Sequence, residues 1–163
     1  MARVYLSLGS NIEAEQHIRS AINVLHERYN DMIVSTIFES EAVGFEGDNF
    51  LNLVVGFDTL EDVHELDEAM SEIENAHGRL RGMGEKFAAR TLDIDLLMYD
   101  DLVLEGEDLQ LPRYEIDKYA FVLLPLSEIA PELIHPVIGL SMEEMWQMFD
   151  KTGQGLWAVD FEL

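Results

Sequence analysis

From Arg3 to Leu8 (RVYLSL), β-branched, aromatic and aliphatic residues fall in the alternating pattern of a strand, which Gly9-Ser10-Asn11 interrupts as a structural turn with an N-cap role. Apolar positions then recur at helical spacing from about Ala14 to Tyr29. Met32 to Phe38 (MIVSTIF) predicts a second strand and Phe50 to Phe57 (FLNLVVGF) a third. The Gly- and acid-rich stretch from Glu41 to Asn49 between them is longer than a tight hairpin needs, and long ordered loops often carry function. Leu60-Glu61-Asp62 opens a second helix to about Ala76, with Val63, Leu66, Met70 and Ile73 on one face and Gly78 as its stop.

Arg79 to Ala89 (RLRGMGEKFAA) has two glycines and no sustained period, so a mobile loop is expected before the alternating strand Leu92 to Tyr99. Leu102 to Leu104 is a short strand candidate, and Ala120 to Ile129 is an apolar segment punctuated by Pro125. Ser141 to Phe149 opens with an N-cap residue followed by acids and predicts a helix, and Leu156 to Phe161 an edge strand. The order strand-helix-strand-strand-helix-strand matches a split β-α-β core. The expected fold is α+β: a ferredoxin-like antiparallel sheet flanked by helices, with a C-terminal extension, in one domain spanning 1–163.

Composition narrows the chemistry. A formal charge of −23 argues against broad nucleic-acid or anionic-membrane binding. Only ten residues are Lys or Arg, yet four of them, Arg79, Arg81, Lys86 and Arg90, fall in one short stretch. An acidic protein that handles a polyanion needs such a local concentration, although ordinary helix-end and loop arginines would look the same. The absence of cysteine excludes disulfides, thiolate catalysis and cysteine-ligated zinc, and leaves carboxylate-held magnesium open. No apolar run has the length of a membrane helix and the N-terminus lacks an export-signal pattern, so a cytoplasmic location is expected.

Asp93 and Asp95 stand two apart on a predicted strand, so both carboxylates leave one face, on the order of 7 Å apart at the backbone. Leu92, Ile94 and Leu96 then face the core. Such a pair can hold magnesium shared with phosphate oxygens, or can be the solvated face of an edge strand. Arg90 and the basic loop beside it favour the first, because phosphoryl and pyrophosphoryl transfer need metals and arginines together. No Walker-type loop is present, so a nucleotide would be held differently from a P-loop enzyme. Phe50 and Asn52 share a strand face and pair an aromatic plate with an amide, which suits a flat heterocycle as well as it suits ordinary packing. His77 reads as a helix C-cap and His135 as structural.

Five segments together, YLSLGSN (5–11), ESEAVGFEGDNFLN (39–52), IENAHGRLR (73–81), RTLDIDLL (90–97) and FVLLPLSEIAPELIHPVIG (121–139), resemble the 6-hydroxymethyl-7,8-dihydropterin pyrophosphokinase family. That family transfers pyrophosphate from ATP to a pterin alcohol in the folate pathway. The resemblance implies that Asp93 and Asp95 hold two Mg2+ ions around the phosphates of ATP. It also implies that Phe50 and Phe121 sandwich the pterin, with Asn52 and the backbone of Ser40 and Val43 on its edge. Catalytic roles are implied for Arg79, Arg90 and Asp95, and nucleotide contacts for Glu74, Arg81, Phe87, Arg113, Tyr114 and Lys118. The expected partners are the pterin and ATP, in a monomer without nucleic acid or membrane.

The family's pattern is broken in three places. Arg113 stands where a histidine is common, Tyr119 where a basic residue is common, and Asp108 where some members have arginine. The basic loop also carries a one-residue insertion. Two alternatives therefore stay open: a paralogue that binds a pterin with weak or no transfer, and an enzyme for a different pterin alcohol.

Overall fold

In the computed structural model, which describes residues 1–41, 48–78 and 92–160, strand β1 (Ala2–Ser10) lies inside the main sheet with a long partner on each side. Helix α1 (Ala14–Arg28) follows it, then the short strands β2 (Ile33–Val34) and β3 (Phe38–Ser40) and the long strand β4 (Phe50–Thr59). Helix α2 (Val63–Ala76) leads to β5 (Asp93–Tyr99). The sheet order is β5-β1-β4-β3, with β2 also on β4 and every pairing antiparallel, as the split β-α-β reading predicts. A hairpin of β6 (Leu104–Glu105) and β7 (Gln110–Leu111), a 3-10 turn over Tyr114–Asp117, and helices α3 (Ala120–Ile129) and α4 (Met142–Met148) complete the helical side. Strand β8 (Leu156–Ala158) then pairs with β3 and closes that edge of the sheet.

The sheet is apolar on both faces, for two different reasons. Val4, Leu6 and Leu8 pair with Phe57, Val55 and Leu53, and Ile94 and Leu96 continue the same rows, so this face builds the main core beneath α1 and α2. The opposite face carries Tyr5, Val54, Leu97 and Met98, which pack against Ile116, Val122, Leu123 and Leu126 of the α3 region. Here Gly56 is required: a Cβ on it would lie 2.8 Å from the Tyr5 ring that crosses it. Leu97 and Met98 both reach this cluster because the β1–β5 register shifts by one residue between Leu96 and Met98, a β-bulge. Burial of each such large side chain stabilises by roughly 1.5–3 kcal/mol.

Several local expectations need correction. The predicted strand Met32 to Phe38 is two short strands, because the Ser35 hydroxyl replaces a carbonyl as acceptor of the Val54 N–H (2.9 Å) and Thr36 N–H turns to Glu128 Oε1 on α3. Gly9 and Ser10 belong to β1, and the N-cap of α1 is Glu13, with φ 46° and no side-chain capping bond. Leu60 and Glu61 precede α2, which starts after Asp62; the Asp62 side chain and Glu65 form a reciprocal capping box. Leu102 and Val103 are irregular, following the turn at Asp100 and Asp101, with the strand beginning at Leu104. The apolar segment around Pro125 is a helix, and β8 stops at Ala158. The Ser141 helix has its expected cap, reciprocated by Glu144.

Helix α3 has no side-chain cap from its own N-cap residue, Tyr119. The carboxamide of Gln154 supplies one from the C-terminal segment: Oε1 accepts the Ala120 N–H at 2.8 Å and Nε2 donates to the Lys118 carbonyl at 3.1 Å. Gln154→Ala should cost about 1 kcal/mol, read as a fall in melting temperature of about 2–4 °C by thermal circular dichroism; an unchanged midpoint would mean that water replaces the cap without loss.

Candidate active site

The polar end of the second sheet face is a set of cross-strand rows. Gly9 pairs with Asn52 on one side and Asp93 on the other, and Asn52 pairs with Phe38. One step along, Ser7 stands between Val54 and Asp95, and Ser40 opposes Phe50. Paired residues project to the same side, so Asp93, Asp95, Asn52, Phe50 and Ser40 all leave the α3 face of the sheet. Asp93 and Asn52 are two strands apart, roughly 10 Å at the backbone. Gly9 keeps the strand between them without a side chain; a Cβ there would come within 3.2 Å of Asn52 Oδ1.

Asn52 is buried, at 3% exposure, and its Nδ2 donates to Ser40 Oγ at 2.8 Å, so the two polar side chains fix one another. Asn11 Nδ2 donates to the Asp48 carbonyl and ties the end of β1 to the approach of β4. Phe121 opens α3, and its ring stacks on Tyr119 with centroids 5.1 Å apart and planes 19° from parallel. Both rings, with Ser40 and residues 153–156, line a cavity of about 360 Å³.

At the aspartate end, Arg113 Nη2 lies 3.3 Å from Asp95 Oδ1, and Arg113 Nε donates to Glu115 Oε2. The bulge explains this meeting. The Leu97 carbonyl accepts the Arg113 N–H at 2.9 Å, which docks the chain after β7 onto edge strand β5 close to Asp95. Burial pushes the Asp95 carboxyl up to about 7, reinforced by the charge of Asp93, while Arg113 pulls the other way and Glu115 and Glu74 add to the rise. Burial alone would lower the Arg113 pKa; Asp95 and Glu115 outweigh it and hold the guanidinium above its usual value.

Glu74, expected near the nucleotide, bonds to the strand that carries the two aspartates. It is 5% exposed, and its Oε2 accepts the N–H of Ile94, the residue between the two aspartates, at 2.8 Å. Its carboxylate thereby holds β5 against α2. Tyr114 and Lys118 are near one another, with the ammonium 5.1 Å from the ring centroid, and Lys118 is exposed. Val43, Arg79, Arg81, Lys86, Phe87 and Arg90 lie outside the described residues. His77 caps α2 as expected, its Nδ1 2.8 Å from the Ile73 carbonyl. His135 is structural: Nδ1 accepts from the N–H groups of Val137 and Ile138, and burial lowers its pKa.

Sequence reasoning missed Glu115, buried beside the site, although its place two residues after Arg113 was a usable signal. It also missed Gln154, for which no local pattern existed. Asp93 and Asp95 fit a divalent hard cation, since Mg2+ is usually held by one or two carboxylates with phosphate and water completing its shell. Burial first, and the charge of Asp93 second, disfavour the ionised Asp95 carboxylate, a cost that such an ion would relieve. Among the described residues no group of three or more acidic or histidine ligands forms a closed cage.

A family model described as 7,8-dihydro-6-hydroxymethylpterin-pyrophosphokinase (HPPK) matches residues 5–131. The chain belongs to that family. It is similar to the 2-amino-4-hydroxy-6-hydroxymethyldihydropteridine pyrophosphokinase of Aquifex aeolicus, at 38% identity over 146 residues, covering 88% of this chain and 90% of the relative. The protein of the same description from Bacillus subtilis is 36% identical over 133 residues, covering 79% and 78%. In fold, this HPPK-family chain resembles the crystal structure of wild-type Plasmodium falciparum HPPK-DHPS, with a TM-score of 0.69 at 15% identity. That match covers 91% of this chain and 43% of the other, so the chain spans less than half the length of that solved protein. The segment carrying Gln154 and β8 lies beyond the part matched by the HPPK family model.

Asp95→Asn should raise the melting temperature of the metal-free protein at pH 8. The folded pKa of about 7 lies above the ~4 of an unfolded aspartate, so ionisation of Asp95 opposes folding most strongly above pH 7. That penalty is relieved as the pH falls from about 7 towards 4, and the advantage of the asparagine variant should shrink with it. Solvent still reaches 31% of the side chain and tempers the effect. Equal melting temperatures in EDTA at pH 8 would contradict the charge crowding.

Proposed function

We propose that this chain is the pyrophosphokinase that transfers the terminal diphosphate of ATP to 6-hydroxymethyl-7,8-dihydropterin, giving AMP and the pterin diphosphate for folate biosynthesis. The observation that carries the reading is the cross-strand row Asp93, Gly9, Asn52, which sets a carboxylate pair and an amide beside Phe50 and Ser40 on one face of one sheet. A flat, edge-polar heterocycle fits the aromatic and amide end, and a metal-bound triphosphate fits the acid end. Family membership and the two similar pyrophosphokinases support the same chemistry. The described chain, built around one continuous sheet, would act as a single domain; no helix among the described residues is long and apolar enough to cross a membrane.

In this reading the pterin hydroxyl oxygen attacks the β-phosphorus of ATP. The bond from that phosphorus to the oxygen bridging the α-phosphate breaks, AMP leaves with the electron pair, and the hydroxyl proton passes to water. Asp93 and Asp95 would hold two Mg2+ ions, whose charge would align and neutralise the triphosphate. Asn52, braced by Ser40, would read the polar edge of the pterin, while Phe50 and Phe121 would stack on its faces, with Tyr119 stacked on Phe121. Arg79 and Arg90 would steady the charge moving towards the leaving AMP, and Arg81, Phe87, Arg113, Tyr114 and Lys118 would contact the nucleotide. No covalent intermediate is needed, so positioning and charge neutralisation supply most of the rate.

Purified protein with ATP, Mg2+ and the pterin alcohol should release AMP with pterin-dependent kinetics. Absence of AMP, together with tight pterin binding by calorimetry, would instead identify a pterin-binding paralogue without transfer. Asp95→Ala should lower kcat by 10²-fold or more, on the scale of removing a group that stabilises transition-state charge, while pterin affinity stays nearly unchanged. Retained turnover in that variant would remove Asp95 from the metal site.

A further inference from the structure

We propose that Arg113 fills the cation position at Asp95 in the nucleotide-free protein and passes to the triphosphate when metal and nucleotide bind together, so that metal affinity depends on nucleotide. This rests on the reading of Asp93 and Asp95 as metal ligands. It concerns a residue at which the chain departs from the pattern of the family it resembles.

The guanidinium is anchored from behind and engaged in front. Its backbone N–H is fixed on the Leu97 carbonyl and its Nε on Glu115, while Nη2 is the atom that reaches Asp95 Oδ1 at 3.3 Å. A divalent cation arriving alone must therefore displace a fixed positive charge from one of its two carboxylates. Because the guanidinium cannot lose its proton, it would then remain beside the new ion and repel it. A triphosphate changes that balance by offering Arg113 several anionic oxygens at the moment Asp95 is taken.

Two features make the transfer inexpensive. The Arg113 side chain is 27% exposed, so it is not locked in the core, and a guanidinium has five N–H donors in a planar fork. Glu115, only 8% exposed, keeps Nε paired throughout, so no charge is stranded when Nη2 turns from Asp95 to phosphate. The arrangement favours the metal–nucleotide complex over the bare metal, and it suppresses occupation of the aspartates by free cations.

The test is a Mn2+ titration followed by electron paramagnetic resonance, with and without α,β-methylene-ATP. Without nucleotide, Arg113→Gln should bind Mn2+ more tightly than wild type, on the order of tenfold. With the analogue it should bind the metal–nucleotide complex several-fold more weakly, having lost a charge-assisted bond to phosphate. Arg113→Lys, which keeps the charge without the fork, should fall between the two and serves if the glutamine variant fails to fold. Adding Asp95→Asn to Arg113→Gln should erase the gain in metal affinity.

Nucleotide-free Mn2+ affinity that is unchanged or weaker in Arg113→Gln overturns the proposal, as does a gain that survives Asp95→Asn. The two levels of the reading fail differently. If wild type shows no nucleotide-dependent Mn2+ binding, the assignment of the aspartates falls as well; if that binding is normal but insensitive to Arg113, only the transfer of the guanidinium falls.

Discussion

Pairing of β1 with β4 on one side and β5 on the other sets the position of everything that could act chemically here. Side chains alternate along a strand, so a slip of one residue would turn Asp93 and Asp95 into the core and drive Ile94 and Leu96 out towards α3. The buried rows Leu8 with Leu53 and Ile94, and Leu6 with Val55 and Leu96, make that slip prohibitive. The polar face inherits its precision from the apolar one. Glu74 adds a second restraint by holding the N–H of Ile94 from α2, so the spacing of the two aspartates is fixed from below as well as along the sheet.

Much of this was legible in the chain because the relevant signals are local. Alternation in β1, β4 and β5 and the apolar stripe of α2 need only the periodicity of their own residues, and the D-I-D spacing puts two carboxylates on one side whatever the fold around them. What was not legible depends on tertiary contacts. Nothing around Ser35 announces that its hydroxyl will replace a strand carbonyl and split β2 from β3. The bulge at Leu97 is invisible in an unbroken run of apolar residues, yet it decides where Arg113 docks. Glu74 was placed near a nucleotide by the family resemblance alone, and nothing local to it announces that packing between α2 and β5 buries it and aims its carboxylate at the Ile94 N–H.

The overall charge of −23 and the local electrostatics of the site tell different stories. Most of the acidic residues are solvated and bear on solubility, but Asp93, Asp95 and Glu115 are brought close enough that one arginine must serve two of them. Charge crowding at a site is a cost in the empty protein and a source of affinity once a cation and an anionic ligand arrive. Arg113 lowers that cost in the meantime, which lets the fold tolerate a carboxylate whose pKa is raised to about 7.

The Gln154 carboxamide gives the last part of the chain an influence out of proportion to its size. It joins the start of α3, where Phe121 and Tyr119 stack, to a segment whose next residues form the outermost strand of the sheet. Residues 153–156 are at once a wall of the aromatic cavity and the lead into that strand. Changes near the C-terminus, whether a shortened tail or a joined partner domain that tugs on β8, would therefore be transmitted to the shape of the heterocycle pocket while leaving the aspartates on the far edge of the sheet undisturbed.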